Sequence, residues 1–412
     1  MTRRRQRLTT GRTVLTVCAA FGALAGAALT GAAPAGALPG AAVRVASGVS
    51  YEWRDIRAAG GPTRIHVLDV DLRDPRVRLD LLYPGQVAAR DEVSQMADAQ
   101  GAVAGVNGDF FNITETQHPG VEATGASVGP AIAHGRVLKA SVPDGQRFGP
   151  ALPPGTSTQD VLGVGGDRRA RLDRLVLKGS VGSAAGELPL GGLNQYALPV
   201  GSVGAFTKDW GSVSRLRATC GTDTDRAAPC STDTYEVTVR DGRVVSAADR
   251  PGTGPIAAGS TVLVGREAGA QELRKLAVGE RVRVRHRLLP AVARQPYRLA
   301  LGGYPVLRGG VPLTGLDART AAVRTAAGIS DGGRRLLLFA VDGSPGNAGL
   351  TIAEVAAVLG ELGATEGFSL DGGGSTTLVS REPGEASVTV RNHPSGGAER
   401  PVPNGIGVFS KS

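Results

Sequence analysis

Short runs of alternating apolar and polar residues, separated by glycine, proline and aspartate, make up most of the chain. Such runs predict β-strands. In the first half they fall at residues 64–72, 77–82, 102–106, 129–139 and 174–178. We expect His66, Asp69 and Asp71 to form a solvated strand face. Helical spacing of apolar residues is rarer and predicts a helix over residues 91–99, which ends at Gly101.

The last third of the chain predicts one strand–helix–strand unit. A strongly apolar strand, 335–341, precedes a helix over 351–362. Thr351 with Glu354 three residues later forms a capping box signature at the start of that helix. A strand follows over 367–370.

The middle of the chain is rich in strand signals. It predicts strands at 235–240, 243–246, 261–264 and 281–289. We therefore predict an α+β fold, with a mixed β-sheet, few covering helices and a β-rich segment at about 195–298 that we interpret as an insertion. This segment is expected to pack beside the main sheet or to extend it.

Composition supports a folded, turn-rich protein. The 412 residues are 41% hydrophobic and 20% charged, which suffices for a sizeable core in one large domain or two smaller ones. The 61 glycines and the aromatic content of 4% favour tight turns over a helical bundle.

The amino terminus has the pattern of an export signal. Five arginines within residues 1–12 precede an uncharged stretch, 14–33, and small residues then offer a cleavage site. We predict a signal peptide over 1–37, a linker over 38–50 and the main domain over 51–412, which makes the protein secreted. An uncleaved membrane anchor over 14–33 is the alternative, and it also leaves the domain outside the cytoplasm.

The net charge limits the classes of molecule that the protein is expected to bind. Loss of residues 1–37 removes five positive charges and no negative ones, which lowers the net charge from +9 to +4. Because the remaining arginines are scattered among acids, a nucleic-acid partner is not expected, and no partner protein is inferred.

Cys18 lies in the signal, so Cys220 and Cys230 are expected to form one disulfide in an exported protein.

Three glycines after an acidic strand end form the first candidate site. Gly372, Gly373 and Gly374 lie between Asp371 and Ser375. Glycines allow close approach to a ligand and can direct backbone amides at an anion, although a tight turn alone would explain one or two of them. The spacing and the lysine of a P-loop are missing, and so is the pattern of a hydrolase nucleophile elbow.

Three further segments carry candidate chemistry. Asn107 and Asp109 follow a small apolar strand and could offer an amide and a carboxylate to a sugar, or form an ordinary turn. Arg324 and Thr325 precede another apolar run, where a single arginine is most often solvated or paired at the surface. Asp342 ends the strand 335–341 and is equally consistent with a turn.

Taken together these segments resemble a known family. The motifs NGDFFN, GGYPVLRGG, RTAAGI, LLLFAVDG, LDGGGSTT and PNGIGVF, in this order, resemble the phosphodiester glycosidase family over about residues 100–409. The resemblance implies a secreted hydrolase that cleaves the sugar C1–O bond of sugar-1-phosphodiesters, of the alpha-N-acetylglucosamine-1-phosphate type. The products would be a free sugar and a phosphomonoester.

The roles that follow from this resemblance are expectations. Asp371 would stabilise the positive sugar centre or activate water, with Asp109 or Asp342 as its partner. Arg324, Thr325, Ser375 and the glycine amides would hold the phosphate, and Asn107 a sugar hydroxyl. No cofactor is required, although carboxylates around Asp371 make a divalent cation a possible ligand.

Two other functions use the same residues. A phosphodiesterase would cleave the P–O bond instead, and isotopic oxygen from solvent would then enter the phosphate. An exported polysaccharide-binding protein would keep the site without the reaction. In each case the expected partner is a phosphorylated glycan or a cell-wall glycopolymer.

Overall fold

The computed structural model describes residues 42–411. The predicted signal peptide, residues 1–37, lies outside the described residues. The predicted linker over 38–50 is corrected where it is described, because residues 43–46 form a strand and residues 49–50 begin the next one. No helix in the described range is long and apolar enough to cross a membrane.

Strands dominate residues 42–411, as the alternating sequence pattern predicts. The three helices are α1 (Val93–Gln100), α2 (Ala268–Leu273) and α3 (Ile352–Glu361). In chain order the strands are β1 (Val43–Ala46), β2 (Val49–Ala58), β3 (Gly61–Asp71), β4 (Val77–Leu82), β5 (Ala104–Asn107), β6 (Ala131–Ala133), β7 (Arg136–Lys139), β8 (Asp160–Gly165), β9 (Ala170–Ser183), β10 (Gly186–Leu193), β11 (Val203–Phe206), β12 (Thr234–Arg240), β13 (Arg243–Ala248), β14 (Ser260–Arg266), β15 (Arg283–Pro290), β16 (Tyr297–Gly302), β17 (Tyr304–Arg308), β18 (Val311–Pro312), β19 (Thr325–Ser330), β20 (Arg335–Val341), β21 (Glu366–Leu370), β22 (Leu378–Arg381), β23 (Val388–Val390) and β24 (Gly405–Ser410).

These strands form three sheets. One has the order β1-β2-β3-β20-β19-β21-β17-β18, and a second the order β23-β22-β5-β24-β4. The third has the order β13-β12-β14-β11-β10-β9-β8-β16-β6-β7, with β15 paired to β9 outside this path. Each sheet packs against one helix: α3 on the first, α1 on the second and α2 on the third. The α+β class with few helices is therefore confirmed.

The middle segment extends a sheet. Strands β11 to β15 lie within residues 195–298, and β11 joins the third sheet by parallel pairing with β10. Val237, Leu263 and Leu273 of the segment belong to a hydrophobic cluster that also contains Val161, Leu175 and Leu190 from strands outside it. The segment thus shares both its core and its strand hydrogen bonds with the rest of the third sheet.

Local sequence signals agree with the observed helix ends. The side chain of Thr351 accepts a hydrogen bond from the Glu354 N–H, and the Glu354 carboxylate accepts one from the Thr351 N–H, so the capping box is present. Gly101 ends α1 in the left-handed conformation with φ of 74°, where a residue with a Cβ is strained.

Candidate active site

The candidate site lies where strands from all three sheets end. Asp109 follows β5 of the second sheet by two residues, and Asp371 directly follows β21 of the first. Gly302 is the last residue of β16 in the third sheet and lies against the Asp109 carboxylate. Loops at strand ends can present polar groups that the sheets hold rigidly. Two carboxylates that are 262 positions apart in sequence thus meet in one place.

Asn107 and Thr325 position the loop that begins at Asp371. The Asn107 Nδ2 donates to the Asp371 carbonyl at 2.7 Å, and its Oδ1 accepts from the Thr325 hydroxyl at 2.8 Å and from the Thr377 N–H at 3.1 Å. Asn107 and Thr325 are both fully buried. Their polar groups are already used inside the protein, which corrects their expected role in substrate binding to one of positioning.

The Asp109 carboxylate is enclosed by backbone. Its Oδ2 accepts a hydrogen bond from the Gly129 N–H at 2.6 Å, and its own N–H donates to the Asn404 Oδ1 at 2.9 Å. A Cβ at Gly302 would lie 2.5 Å from the same Oδ2, so a side chain there would displace the carboxylate. Oδ1 is buried and has no hydrogen-bond partner among residues 42–411. A buried carboxylate oxygen without a partner is rare, and catalytic groups are one of its recognised causes.

Burial raises the pKa of both carboxyl groups. Desolvation raises the pKa of Asp109 to about 6, against the cation of Lys139, which lowers it. Lys139 is buried as well, and burial lowers its pKa to about 7. Desolvation also raises the pKa of Asp371 to about 6, while the Ser375 hydroxyl and Arg400 oppose the rise and Asp109 adds to it. Two neighbouring carboxyls with raised pKa values are typical of acid–base chemistry.

Two arginines supply positive charge near these carboxyls. The Arg147 guanidinium lies 4.2 Å from the centre of the Phe110 ring and 5.2 Å from that of Tyr304. It is buried, burial lowers its pKa, and the charges of Asp109 and Asp371 oppose that shift. Its Nη2 has no hydrogen-bond partner among the described residues, and the side chain borders a cavity of about 400 Å³. A buried guanidinium with a free donor is suited to an anion.

Arg400 lies over the glycine loop. Its Nη1 donates to the Ser375 hydroxyl at 3.2 Å. A Cβ at Gly374 would clash with the Arg400 guanidinium, so the two groups touch. Gly372 donates its N–H to Asp371 Oδ1 at 3.0 Å, and Gly373 donates to the Val323 carbonyl at 2.8 Å. Two of the three predicted anion-binding amides, those of Gly372 and Gly373, are thus engaged within the protein, which corrects that expectation for these two.

Arg324 flanks the same loop with part of its donors in use. Its Nε donates to the Leu350 carbonyl at 3.0 Å and its Nη2 to the Thr320 carbonyl at 2.7 Å. Its Cδ lies 3.7 Å from the place that a Cβ on Gly372 would occupy. Burial lowers its pKa. The structure brings Arg324 to the loop, and its contact with a phosphate stays a prediction.

Asp342 belongs to a separate polar network. Its Oδ2 accepts from His66 Nε2 at 3.0 Å and from His393 Nδ1 at 2.9 Å, and its Oδ1 accepts from the Ser344 N–H at 2.8 Å. These hydrogen bonds hold the pKa of Asp342 well below its usual range, against the effect of burial. A carboxylate that is satisfied in this way stabilises the fold, and the catalytic role of Asp342 stays a prediction.

The same network corrects the expected solvated face of β3. His66 is buried, whereas Asp69 pairs with Arg335 and Asp71 with Arg73 near the surface. His66 lies three positions before Asp69 and five before Asp71, both odd separations. Its side chain therefore points to the opposite face of the sheet.

Several residues of the site carried little or no signal in the sequence. Tyr304 and Asn404 lie inside the GGYPVLRGG and PNGIGVF motifs, which mark them only through the family resemblance. Lys139 ends an apolar strand in a chain with five lysines, which hints at a special position. Arg147 and Arg400 have no distinguishing local pattern among the many arginines, and only the tertiary structure identifies them.

The predicted disulfide between Cys220 and Cys230 is present. His118 lies near both sulfurs, and these three residues are the one group of metal-ligand type found within residues 42–411. The sulfurs are bonded to each other, and His118 is hydrogen-bonded to Glu115 at 2.5 Å and to the Ala228 carbonyl at 2.8 Å. The donors of this group are therefore engaged within the protein.

Comparison with known proteins agrees with the motifs. Residues 233–409 match the family model of phosphodiester glycosidases. This match confirms the resemblance to that family for the carboxy-terminal part of the chain, which includes Asp371, the glycine loop and Arg400. Asp109, Lys139 and Arg147 lie outside the matched range. No curated protein matches the chain significantly.

The first two of three similar solved structures share the fold. A hypothetical protein from Synechocystis aligns with a TM-score of 0.67 and 21% identity, over 89% of this chain and 62% of its own length. A protein from Burkholderia pseudomallei K96243, designated as a predicted exported protein, aligns with a TM-score of 0.64 and 24% identity, over 84% of this chain and 74% of its own. The catalytic domain of zebrafish N-acetylglucosamine-1-phosphodiester alpha-N-acetylglucosaminidase, auto-inhibited by its pro-peptide, aligns with a TM-score of 0.43 and 15% identity, over 88% of this chain and 83% of that one.

Proposed function

We propose that this protein is an exported hydrolase that cleaves the sugar C1–O bond of sugar-1-phosphodiesters. The observation that carries the proposal is the pairing of Asp109 and Asp371, both with pKa raised to about 6, beside the cationic groups of Arg147 and Arg400. The match to the phosphodiester glycosidase family supports the reaction class. Alpha-N-acetylglucosamine-1-phosphate diesters are the first substrates to test.

The charges of the site suit this bond. A phosphodiester brings one negative charge, which Arg400 and the Gly374 N–H can bind from the side of the glycine loop. As the C1–O bond breaks, positive charge develops on the sugar ring while a second negative charge develops on the departing phosphate. Because the phosphate is a good leaving group, the reaction rate depends more on tight binding of the phosphate than on its protonation by a strong acid.

Asp371 and Asp109 can take different roles in the proton transfers and in the stabilisation of the sugar cation. Asp371 is held by its backbone to Gly108 at 2.9 Å and faces the loop that binds the phosphate. In its ionised form it would stabilise the sugar cation or take a proton from the attacking water. Asp109 shares its surroundings with Lys139, so a proton can be held by either group near pH 7. We assign Asp109 the transfer of a proton to or from the reacting oxygen.

The test is release of free sugar from a panel of sugar-1-phosphodiesters, in water enriched in heavy oxygen. The proposal expects label in the sugar, whereas label in the phosphate would show P–O cleavage and a phosphodiesterase. Binding of the substrates without release would favour a polysaccharide-binding protein. Assays with and without EDTA test for a divalent cation, which the carboxylates near Asp371 could bind.

Two substitutions connect the reaction to the site. Asp371→Asn and Asp109→Asn are each expected to lower turnover at least ~10²-fold, since each removes a group that moves a proton or stabilises charge. Asp331→Asn is the matched control, because Asp331 is an exposed aspartate in a turn after β19. Near-normal turnover in folded Asp371→Asn protein would refute the assigned role.

A further inference from the structure

A row of basic side chains lies on strand β15, in the segment 195–298 that the proposed reaction does not use. Arg281 precedes the strand, and Arg283, Arg285 and Arg287 follow at every second position. On the neighbouring strand β9, Lys178 is the direct partner of Arg287. All five side chains are exposed. We call these five residues the basic strip.

The alternation of the strand places the strip on one face. Between the arginines, Val282 and Leu288 turn to the opposite side and are buried in a hydrophobic cluster against which Val284 packs, whereas His286 is exposed and lines the groove beside Lys178. Side chains two positions apart on a strand are about 7 Å apart, so four arginines span roughly 20 Å. Opposite Arg283 and Arg285, strand β9 carries only Gly182 and Ser180, so small residues leave the guanidinium groups accessible.

The strip lacks acidic partners. Among residues 42–411 no carboxylate oxygen lies within 4.0 Å of a basic nitrogen of the strip, whereas some exposed arginines elsewhere are paired, such as Arg73 with Asp71 and Arg274 with Asp233. Acids do occur around the strip; they are Glu187, Asp241 and Glu280. Glu187 is bound to the Ser180 hydroxyl at 2.5 Å, and Glu280 accepts from the Ala277 N–H at 3.0 Å.

The strip lines a groove of suitable size. Arg281, Arg283 and Arg285 border a groove of about 950 Å³, and Lys178, Arg285 and Arg287 border another of about 640 Å³ beside it. Apart from the imidazole of His286, no aromatic side chain lines these grooves. Single-stranded nucleic acids usually need aromatic side chains for base stacking, so the groove favours a different polyanion.

The strip is remote from the candidate active site. Strand β9 is connected to Gly302 through β8, because Asp173 pairs with Val161 and Val161 with Gly302. Lys178 lies five residues further along β9, which is about 16 Å at the rise of a strand. The strip runs on from there, away from Asp109. A long ligand could touch both places, whereas a small substrate could not.

We propose that the basic strip binds an anionic polymer whose repeating units are joined by phosphodiesters, at a distance from the candidate active site. Guanidinium groups bind phosphate oxygens in a bidentate manner, and regular spacing lets successive arginines engage successive phosphates. Attachment at the strip raises the concentration of polymer at the active site. The inference rests on the proposed function only for the choice of polymer.

The test compares binding of a labelled poly(glycerol phosphate) chain by wild-type protein and two triple variants. The strip variant is Arg283→Ser, Arg285→Ser, Arg287→Ser. The matched control is Arg57→Ser, Arg250→Ser, Arg308→Ser, which removes the same charge from exposed arginines outside the strip. The strip variant is expected to bind at least about tenfold more weakly, with a salt dependence reduced by about two counterions. The control variant is expected to bind as the wild type does.

Further measurements show whether binding requires the phosphates of the polymer. They also show whether the variants remain folded and keep the oligomeric state of the wild type. Neutral dextran should not bind, and a small sugar-1-phosphodiester should be turned over equally by all three proteins. Charges on an edge strand also discourage pairing with another chain, so the oligomeric state is measured beside affinity. If the triple variant aggregates, Arg285→Gln alone is tested, with an expected loss of about threefold.

Three results would overturn the inference: unchanged affinity in the strip variant, equal loss in the control variant, or tighter binding of single-stranded DNA than of the phosphate polymer. Strip-dependent binding without cleavage of any sugar-1-phosphodiester would leave this inference standing and refute the proposed function.

Discussion

Replacing Asp371 by asparagine tests whether the site is maintained at the expense of stability. Burial raises the pKa of this carboxyl from 3.8 to about 6. A tenfold change in an acid dissociation constant corresponds to about 1.4 kcal/mol, so ionised Asp371 costs the folded state about 3 kcal/mol. Asparagine has the same shape and no charge, which removes this cost.

The sign of the effect depends on pH. Below the unfolded pKa of 3.8 the carboxyl is protonated in both states and costs nothing. As pH rises towards 6, the unfolded chain ionises first, so wild-type stability falls relative to that of Asp371→Asn. The variant is therefore expected to gain about 2 kcal/mol over wild type between about pH 4 and pH 7, while it loses turnover.

The measurement is urea unfolding at a series of pH values, followed by the fluorescence of Trp53 and Trp210. Asp342→Asn is the matched contrast, because hydrogen bonds lower the pKa of Asp342. Its carboxylate stabilises the fold above the unfolded pKa and loses that effect as pH falls. Asp342→Asn should therefore be destabilised at neutral pH. A difference between Asp371→Asn and wild type that does not change with pH would refute the reasoning.

Three further changes test the surroundings of the carboxyls. Lys139→Met removes the cation that lowers the pKa of Asp109, so the acid limb of kcat/KM against pH should move to higher pH; an unmoved limb would contradict the coupling. Gly302→Ala places a Cβ 2.5 Å from Asp109 Oδ2 and should reduce turnover at least tenfold, with a loss of about 1–3 kcal/mol in urea unfolding. Arg400→Ala should mainly raise KM for phosphodiesters, because it removes a phosphate contact; an unchanged KM with lowered kcat would place Arg400 elsewhere in the reaction.

The positions of several strands and helix ends could be predicted from the sequence, because they depend on residues that are neighbours in the chain. The alternating pattern predicts 77–82 and 335–341 with the bounds that β4 and β20 show. The helix that begins after Thr351 follows from its capping box, and the end of α1 from Gly101. The Cys220–Cys230 disulfide could be predicted because exported proteins fold in an oxidising environment, and the structure contains it.

The sequence by itself thus determined the strand-rich α+β class, the strand–helix–strand unit and the motifs around Asp109 and Asp371. Only the tertiary structure decided which polar groups are free to act. Asn107 and Asp342 carry the same chemistry as catalytic groups, yet partners distant in sequence satisfy them. Arg147 gains its place through burial against the rings of Phe110 and Tyr304, which are distant from each other in sequence. Burial and hydrogen bonding between distant segments set charge and pKa, and no local pattern contains that information.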